Sequence, residues 1–279
     1  MASSIFDTID PKMMARIQAL RLIDDDFMTV VFDGNIPLTE LLLRILLSRD
    51  DLCVQSVMTQ KEKRNIFGRS IRLDIVAKDM AGKVYNIEVQ RADKGATARR
   101  VRYNLAMLDS HTLKKKDDFS ALPEIYIIFI TENDYYGFGQ PVYKVKKSVE
   151  ITAPNSADLP FDDGCSIIYV NGAYRADDAI GRLMSDFSAT SADEMYYNEI
   201  ADSVRFHKQE EGGRKTMCKI FEEYGEEVRA EAEAETRAAF VEDLLRDGTM
   251  PIERISIVAK VPLEQVKQIA QKLSISTTA

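Results

Sequence analysis

The stretch Arg69-Ser70-Ile71-Arg72-Leu73-Asp74-Ile75-Val76-Ala77-Lys78-Asp79, followed by Met80-Ala81-Gly82 and then Lys83-Val84-Tyr85-Asn86-Ile87-Glu88-Val89-Gln90, decides the fold. Both flanks are rich in β-branched and aromatic residues and the short connection contains a glycine, so the segment reads as a β-hairpin. A three-residue loop with Gly82 in the left-handed position fixes the register. It sets Asp74 opposite Glu88 and Arg72 opposite Gln90, all on one face, with Leu73, Ile75, Ile87 and Val89 on the other as core. Opposed residues have Cβ atoms about 4.5–5.5 Å apart, and two carboxylates that close repel by several kcal/mol unless a cation lies between them. A divalent metal site resolves that repulsion; a charged solvent face, common on hairpins, is the alternative. The apolar run from Ile125 to Ile130 supplies a third strand to flank the pair, which makes the hairpin part of a larger sheet with helices around it.

With the hairpin go Arg91-Ala92-Asp93, Arg99-Arg100-Val101-Arg102-Tyr103-Asn104, Leu122 to Glu132 and Ile168-Tyr169-Val170-Asn171-Gly172. In that order these blocks resemble the PD-(D/E)XK nuclease family transposases, relatives of the recombination-promoting nucleases, over most of the first two-thirds of the chain. The resemblance implies an α/β restriction-endonuclease-like core, with a mixed central sheet flanked by helices, that binds Mg²⁺ (Mn²⁺ being the other candidate ion) and hydrolyses DNA phosphodiesters. It makes Asp74 and Glu88 the metal-ligating carboxylates, with the backbone carbonyl of Val89 as a further ligand. Gln90 stands where the family's lysine usually is, as in many members of this branch. A neutral amide hydrogen-bonds but brings no positive charge, which Arg72, Arg99 or Arg102 would have to supply. Glu40, on the apolar helix Leu38 to Leu47, resembles the acidic residue of the first core helix; an ordinary ion pair with Arg44 one turn later is the other reading.

The segment Ala96 to Leu113 reads as a helix with Val101, Leu105 and Leu108 on its buried face. Arg99 and Tyr103, four apart, share a face, and this basic helix suits a phosphate backbone as well as it suits a solvated surface. The resemblance favours Arg99 and Tyr103 as site-supporting residues.

Composition bounds the rest. With 279 residues, 45% of them hydrophobic, the chain holds a sizeable core and an additional module. A net charge of −8 excludes a wholly nucleic-acid-attracting surface but not a local basic groove. Cys53, Cys165 and Cys218 are isolated, and His111 and His207 lie far apart, which argues against a disulfide scaffold, a zinc ribbon or a histidine metal site. Neither a signal sequence nor a membrane span is legible, and a soluble cytoplasmic protein is expected.

Three regions follow: a nuclease-like domain over 1–190, a charged helical linker over 191–237, and a small helix-turn-helix-like module over 238–279. In the linker, Met217, Ile220, Phe221, Tyr224 and Val228 repeat at helical spacing. In the tail, Asp247-Gly248 stops one helix, Pro251 opens a second, and Val261-Pro262 separates it from a third that carries Lys267, Gln268 and Lys272. That module serves either DNA contact or self-association into a homo-oligomer. The function expected is a Mg²⁺-dependent DNA endonuclease associated with transposition or recombination. The alternative is a catalytically weak nuclease-fold module acting by DNA or protein binding, which Gln90 keeps open.

Overall fold

The computed structural model describes residues 11–63, 71–91, 95–152 and 157–273. Arg69, Ser70, Ala92 and Asp93 of the quoted blocks lie outside the described residues.

The hairpin forms in the expected register. After β1 (Val54–Lys63), β2 (Ile71–Asp79) pairs with β3 (Val84–Gln90) through Ile75↔Ile87, Val76↔Asn86, Ala77↔Tyr85 and Lys78↔Val84. Gly82 closes the loop at φ +86°, a conformation that a side chain would strain, and donates its N–H to the Asp79 carbonyl at 3.0 Å. The Asp79 carboxylate braces the far side, accepting from the Lys83 N–H at 2.9 Å and the Tyr85 hydroxyl at 2.8 Å.

Around the hairpin the sheet is mixed. β1 lies antiparallel to β2, β4 (Ile125–Thr131) is parallel to β3, and β8 (Cys165–Asn171) is parallel to β4. The edge strand β5 (Val142–Lys144) is antiparallel to β8, which gives the order β1-β2-β3-β4-β8-β5. Two short strands, β6 (Ser148–Val149) and β7 (Leu159–Pro160), make a separate ribbon. β4 is apolar at nearly every position because both faces of a central parallel strand are covered; Ile127, Ile128, Phe129 and Ile130 are all fully buried.

Helices flank the sheet. Before β1 come α1 (Pro11–Ala19), α2 (Asp25–Phe32) and α3 (Ile36–Leu47), the last capped by the Asn35 side chain accepting from the Leu38 N–H; α2 and α3 pack on β1. The crossover that a parallel β3–β4 pair requires is α4 (Ala98–Ser110), capped by Thr97. It lays Val101 and Leu108 on Val76, Ile125, Ile127, Phe129 and Tyr169. This is the restriction-endonuclease-like α/β arrangement expected from the sequence.

The chain divides into two compact units, Met1–Arg214 and Lys215–Ala279. The first is completed by α5 (Ala179–Ser188) and α6 (Asn198–Gln209). Most of α7 (Glu211–Asp247) lies in the second, with α8 (Ile252–Ala259) and α9 (Leu263–Lys272). Gly248 at φ +66° ends α7, and Val241, Leu245, Ile255, Val261 and Val266 bury one another as the unit's core. Of the apolar stripe expected along α7, Met217 is buried; the side chains of Ile220, Phe221, Tyr224 and Val228 lie outside those described. Among the described residues, no helix is long and apolar enough to cross a membrane.

One buried cation pins the first unit together. Lys208 on α6 is 2% exposed, and its Nζ donates to the carbonyls of Gln18 (3.0 Å), Leu20 (2.5 Å) and Thr190 (2.6 Å) over the ring of Phe27. Gln18 returns a bond from its Nε2 to the Lys208 carbonyl at 3.0 Å. Lys208→Met keeps the stem but leaves three carbonyls without a donor, so it should lower stability by about 3 kcal/mol. The urea midpoint of the first unit's transition measures this; an unchanged midpoint would show the clamp to be dispensable.

Candidate active site

Asp74 and Glu88 come next after the last regular ladder pair, Ile75↔Ile87. They are 9% and 0% exposed, so the solvent-face alternative fails. Regular pairing stops here because the Asp74 carboxylate takes the place of a backbone acceptor: its Oδ2 receives the Val89 N–H at 2.9 Å. Glu88 is held from two sides. Its Oε1 accepts from Asn86 Nδ2 at 2.8 Å and its Oε2 from Arg100 Nη2 at 2.9 Å. Arg100 also donates from Nη1 to Gln90 Oε1 at 2.7 Å, so one guanidinium bridges the acid and the amide of β3.

Electrostatics follow from burial. Desolvation, then the charges of Glu88 and Asp25, push the Asp74 carboxyl up to about 8, against the Val89 N–H and Arg100. Burial also raises Glu88, opposed by Asn86 and Arg100. A charge-assisted guanidinium bond and an amide donor both favour the ionised form of Glu88, so Asp74 is the better proton holder of the pair. Asp25, the first residue of α2, keeps access to solvent. Even so, the surrounding protein raises its pKa, Asp26 raises it further, and Arg100 and Arg72 hold it down.

Not every residue expected at the site is brought there. Gln90 and the arginine helix are, but through Arg100; Arg99 and Arg102 are exposed, and Tyr103 is half-buried one turn on. Val101 points into the core, and the helical repeat then turns Arg100 toward β3 and Arg99 and Arg102 away from it. Arg72 is exposed and reaches the site through its field on Asp25. Glu40 sits elsewhere: it pairs with Arg44 at 2.6 Å and accepts the Val54 N–H at 2.9 Å. Val54 pairs with Asp79 at the turn end of the hairpin, five residues along β2 from Asp74, or roughly 17 Å. The helical ion-pair reading of Glu40 is therefore the one the structure supports, with the added role of docking α3 on β1.

Four residues at the site went unread in the sequence: Arg100, Asn86, Asp25 and Gly95. Asn86 is fully buried, and its Oδ1 has no partner although its Nδ2 is used. Gly95 lies against the Gln90 amide; a Cβ there would fall 1.9 Å from Gln90 Oε1. Among the described residues, no three His, Cys, Asp or Glu side chains gather as a metal cage. Magnesium needs less, since it keeps several waters and takes one or two carboxylates. Two buried carboxylates beside an unpartnered amide oxygen fit a hard oxygen-seeking cation.

The family model for PD-(D/E)XK nuclease family transposase matches residues 35–172, which include Asp74, Glu88, Gln90 and Arg100. Neither the search of curated proteins nor that of solved structures found a match.

The raised carboxyl pKa values have a defined sign. The folded state holds the shared proton more tightly than the unfolded chain, so stability from this pair is present below about pH 4 and lost as pH rises toward 8. In chelator, the melting temperature of Asp74→Asn minus that of the wild type should therefore climb between pH 5 and pH 8.5. A flat difference would mean that no proton is shared. Gly95→Ala should cost about 1–2 kcal/mol by urea denaturation, and almost nothing in a Gln90→Ala background, where the clash is gone. Equal costs in both backgrounds would place Gln90 elsewhere.

Proposed function

Since residues 35–172 belong to the PD-(D/E)XK nuclease family transposases, we propose that this protein is a Mg²⁺-dependent DNA endonuclease acting in transposition or recombination. The observation that carries the reading is a pair of buried carboxylates, Asp74 on β2 and Glu88 on β3, with Arg100 bridging Glu88 to Gln90. Asp74, Glu88 and the Val89 carbonyl are the proposed ligands. A bound divalent ion would displace the Asp74 proton, neutralise phosphate charge and lower the pKa of a water.

The chain's own residues do the rest. Arg100 supplies the positive charge that Gln90 lacks; an arginine cannot give up its proton, so it stabilises negative charge and takes no part as a base. Because Gln90 Oε1 accepts from Arg100, its Nε2 is the end left to point at a water or a phosphate oxygen. Asn86 fixes the Glu88 carboxylate from the opposite side. The tail module fits a supporting DNA contact through α9, where Gln268 and Lys272 are exposed and Lys267 is engaged by Glu264 at 2.8 Å.

Nicking of supercoiled plasmid tests this. Wild type should nick in Mg²⁺ or Mn²⁺ and stop on chelation, and Asp74→Ala and Glu88→Ala should lose on the order of a hundredfold or more. Gln90→Lys alone should lower the rate, because it sets an ammonium against Arg100; Gln90→Lys with Arg100→Gln restores one cation and one amide and should recover it. DNA binding with no metal-dependent nicking at all would assign the non-cleaving module instead.

A further inference from the structure

At the end of the sheet where Gln90 lies, β4 runs into a loop that returns as the edge strand β5, and the tip of this loop is firmly built. The Asp134 carboxylate accepts the N–H groups of Gly137 (3.0 Å) and Gly139 (2.7 Å) and the hydroxyl of Tyr143 (2.7 Å). The Tyr143 oxygen in turn accepts the N–H groups of Phe138 and Gln140, each at 3.2 Å. Gly137 and Gly139, at φ +74° and +68°, bracket Phe138 and leave it 74% exposed. An apolar ring fixed in water by a network of hydrogen bonds gains nothing for the fold. Its ordering cost is already met, which is what a binding contact requires.

The position of the ring says what it meets. Tyr136, beside it, contacts Tyr169 at 5.2 Å; Tyr169 stacks on Phe129 at 5.8 Å; and Arg100, the partner of Glu88, lies 5.8 Å over Phe129. The loop therefore belongs to the same face of the sheet as the carboxylates. β3, β4, β8 and β5 are successive neighbours, so the far edge stands roughly 14 Å from Glu88, within reach of the same bound strand. Tyr143 on β5, which pairs with Tyr169, carries this aromatic face to the edge, where Tyr136 packs against it at 5.0 Å between ring centroids.

We propose that Phe138 is a nucleobase-stacking contact: an unpaired base of the DNA strand held at the carboxylates, a few nucleotides from the scissile phosphate, lies on its ring. The inference rests on the nuclease reading of the carboxylate site and narrows its substrate to DNA with a single-stranded stretch.

The chain has no tryptophan, so Phe138→Trp introduces a single indole reporter. Titrated in Ca²⁺ with a short single-stranded oligonucleotide, its emission should be quenched, and inorganic polyphosphate should leave it unchanged. Phe138→Ala should weaken oligonucleotide binding roughly 5- to 100-fold, and Phe138→Tyr should stay within about threefold of wild type. An oligonucleotide that binds without moving the emission and with equal affinity for Phe138→Ala overturns the proposal. So does wild type that binds no oligonucleotide, or Phe138→Ala that changes sedimenting mass alone, which would make the ring a protein contact. Lost quenching with retained Mg²⁺-dependent nicking sinks the stacking contact and spares the nuclease reading; quenching without nicking does the reverse.

Discussion

The ion pair between Arg100 and Glu88, 2.9 Å long, is the interaction on which the arrangement of the first unit turns. Two carboxylates side by side in a dry sheet would each carry several kcal/mol of unrelieved desolvation and repulsion. The protein meets this in three ways: a carboxyl at Asp74 whose raised pKa favours its neutral form, a backbone N–H given up by the ladder at Val89, and a guanidinium delivered by the crossover helix. Each measure constrains the fold. α4 must start close after β3 so that Arg100 arrives within its first turn, and Gly95 must lack a side chain so that Gln90 can lie beneath the connection. The geometry of the acid pair is thus also the geometry of the βαβ crossover.

Much of this was legible in the sequence because it rests on short-range rules. Gly82 and its three-residue loop specify a register by counting, and the apolar strand Ile125 to Ile130 announces by its unbroken hydrophobicity that it is covered on both sides. The tail was equally readable from Gly248, Pro251 and Pro262. What escaped were facts about direction. Three arginines in four residues differ only in helical phase, and the phase of α4 is set by Val101 and Leu108 settling on Phe129 and Tyr169, contacts far apart in the chain. Glu40 carried a similar ambiguity, which the start of β1 resolves by offering it the Val54 N–H. Asn86 and Gly95 leave no sequence signal at all, because an orphaned amide oxygen and a forbidden Cβ exist only once the chain has folded.

The second unit is built differently. Three helices share a small core of Val241, Leu245, Ile255, Val261 and Val266, with contacts that are local in sequence. Such a module folds without waiting for distant partners. The first unit has the opposite character, since its sheet brings together β1 and β8, more than a hundred residues apart.

The clamp on Lys208 carries that contrast into the order of synthesis. Its three carbonyl acceptors come from Gln18, Leu20 and Thr190, so the first two are fastened by a residue made some 190 positions after them. Until Lys208 has been made, the carbonyls of Gln18, Leu20 and Thr190 lack the ammonium that joins them, even after the residues of the hairpin and of β8 have left the ribosome. The clamp of the first unit closes only when α6 emerges.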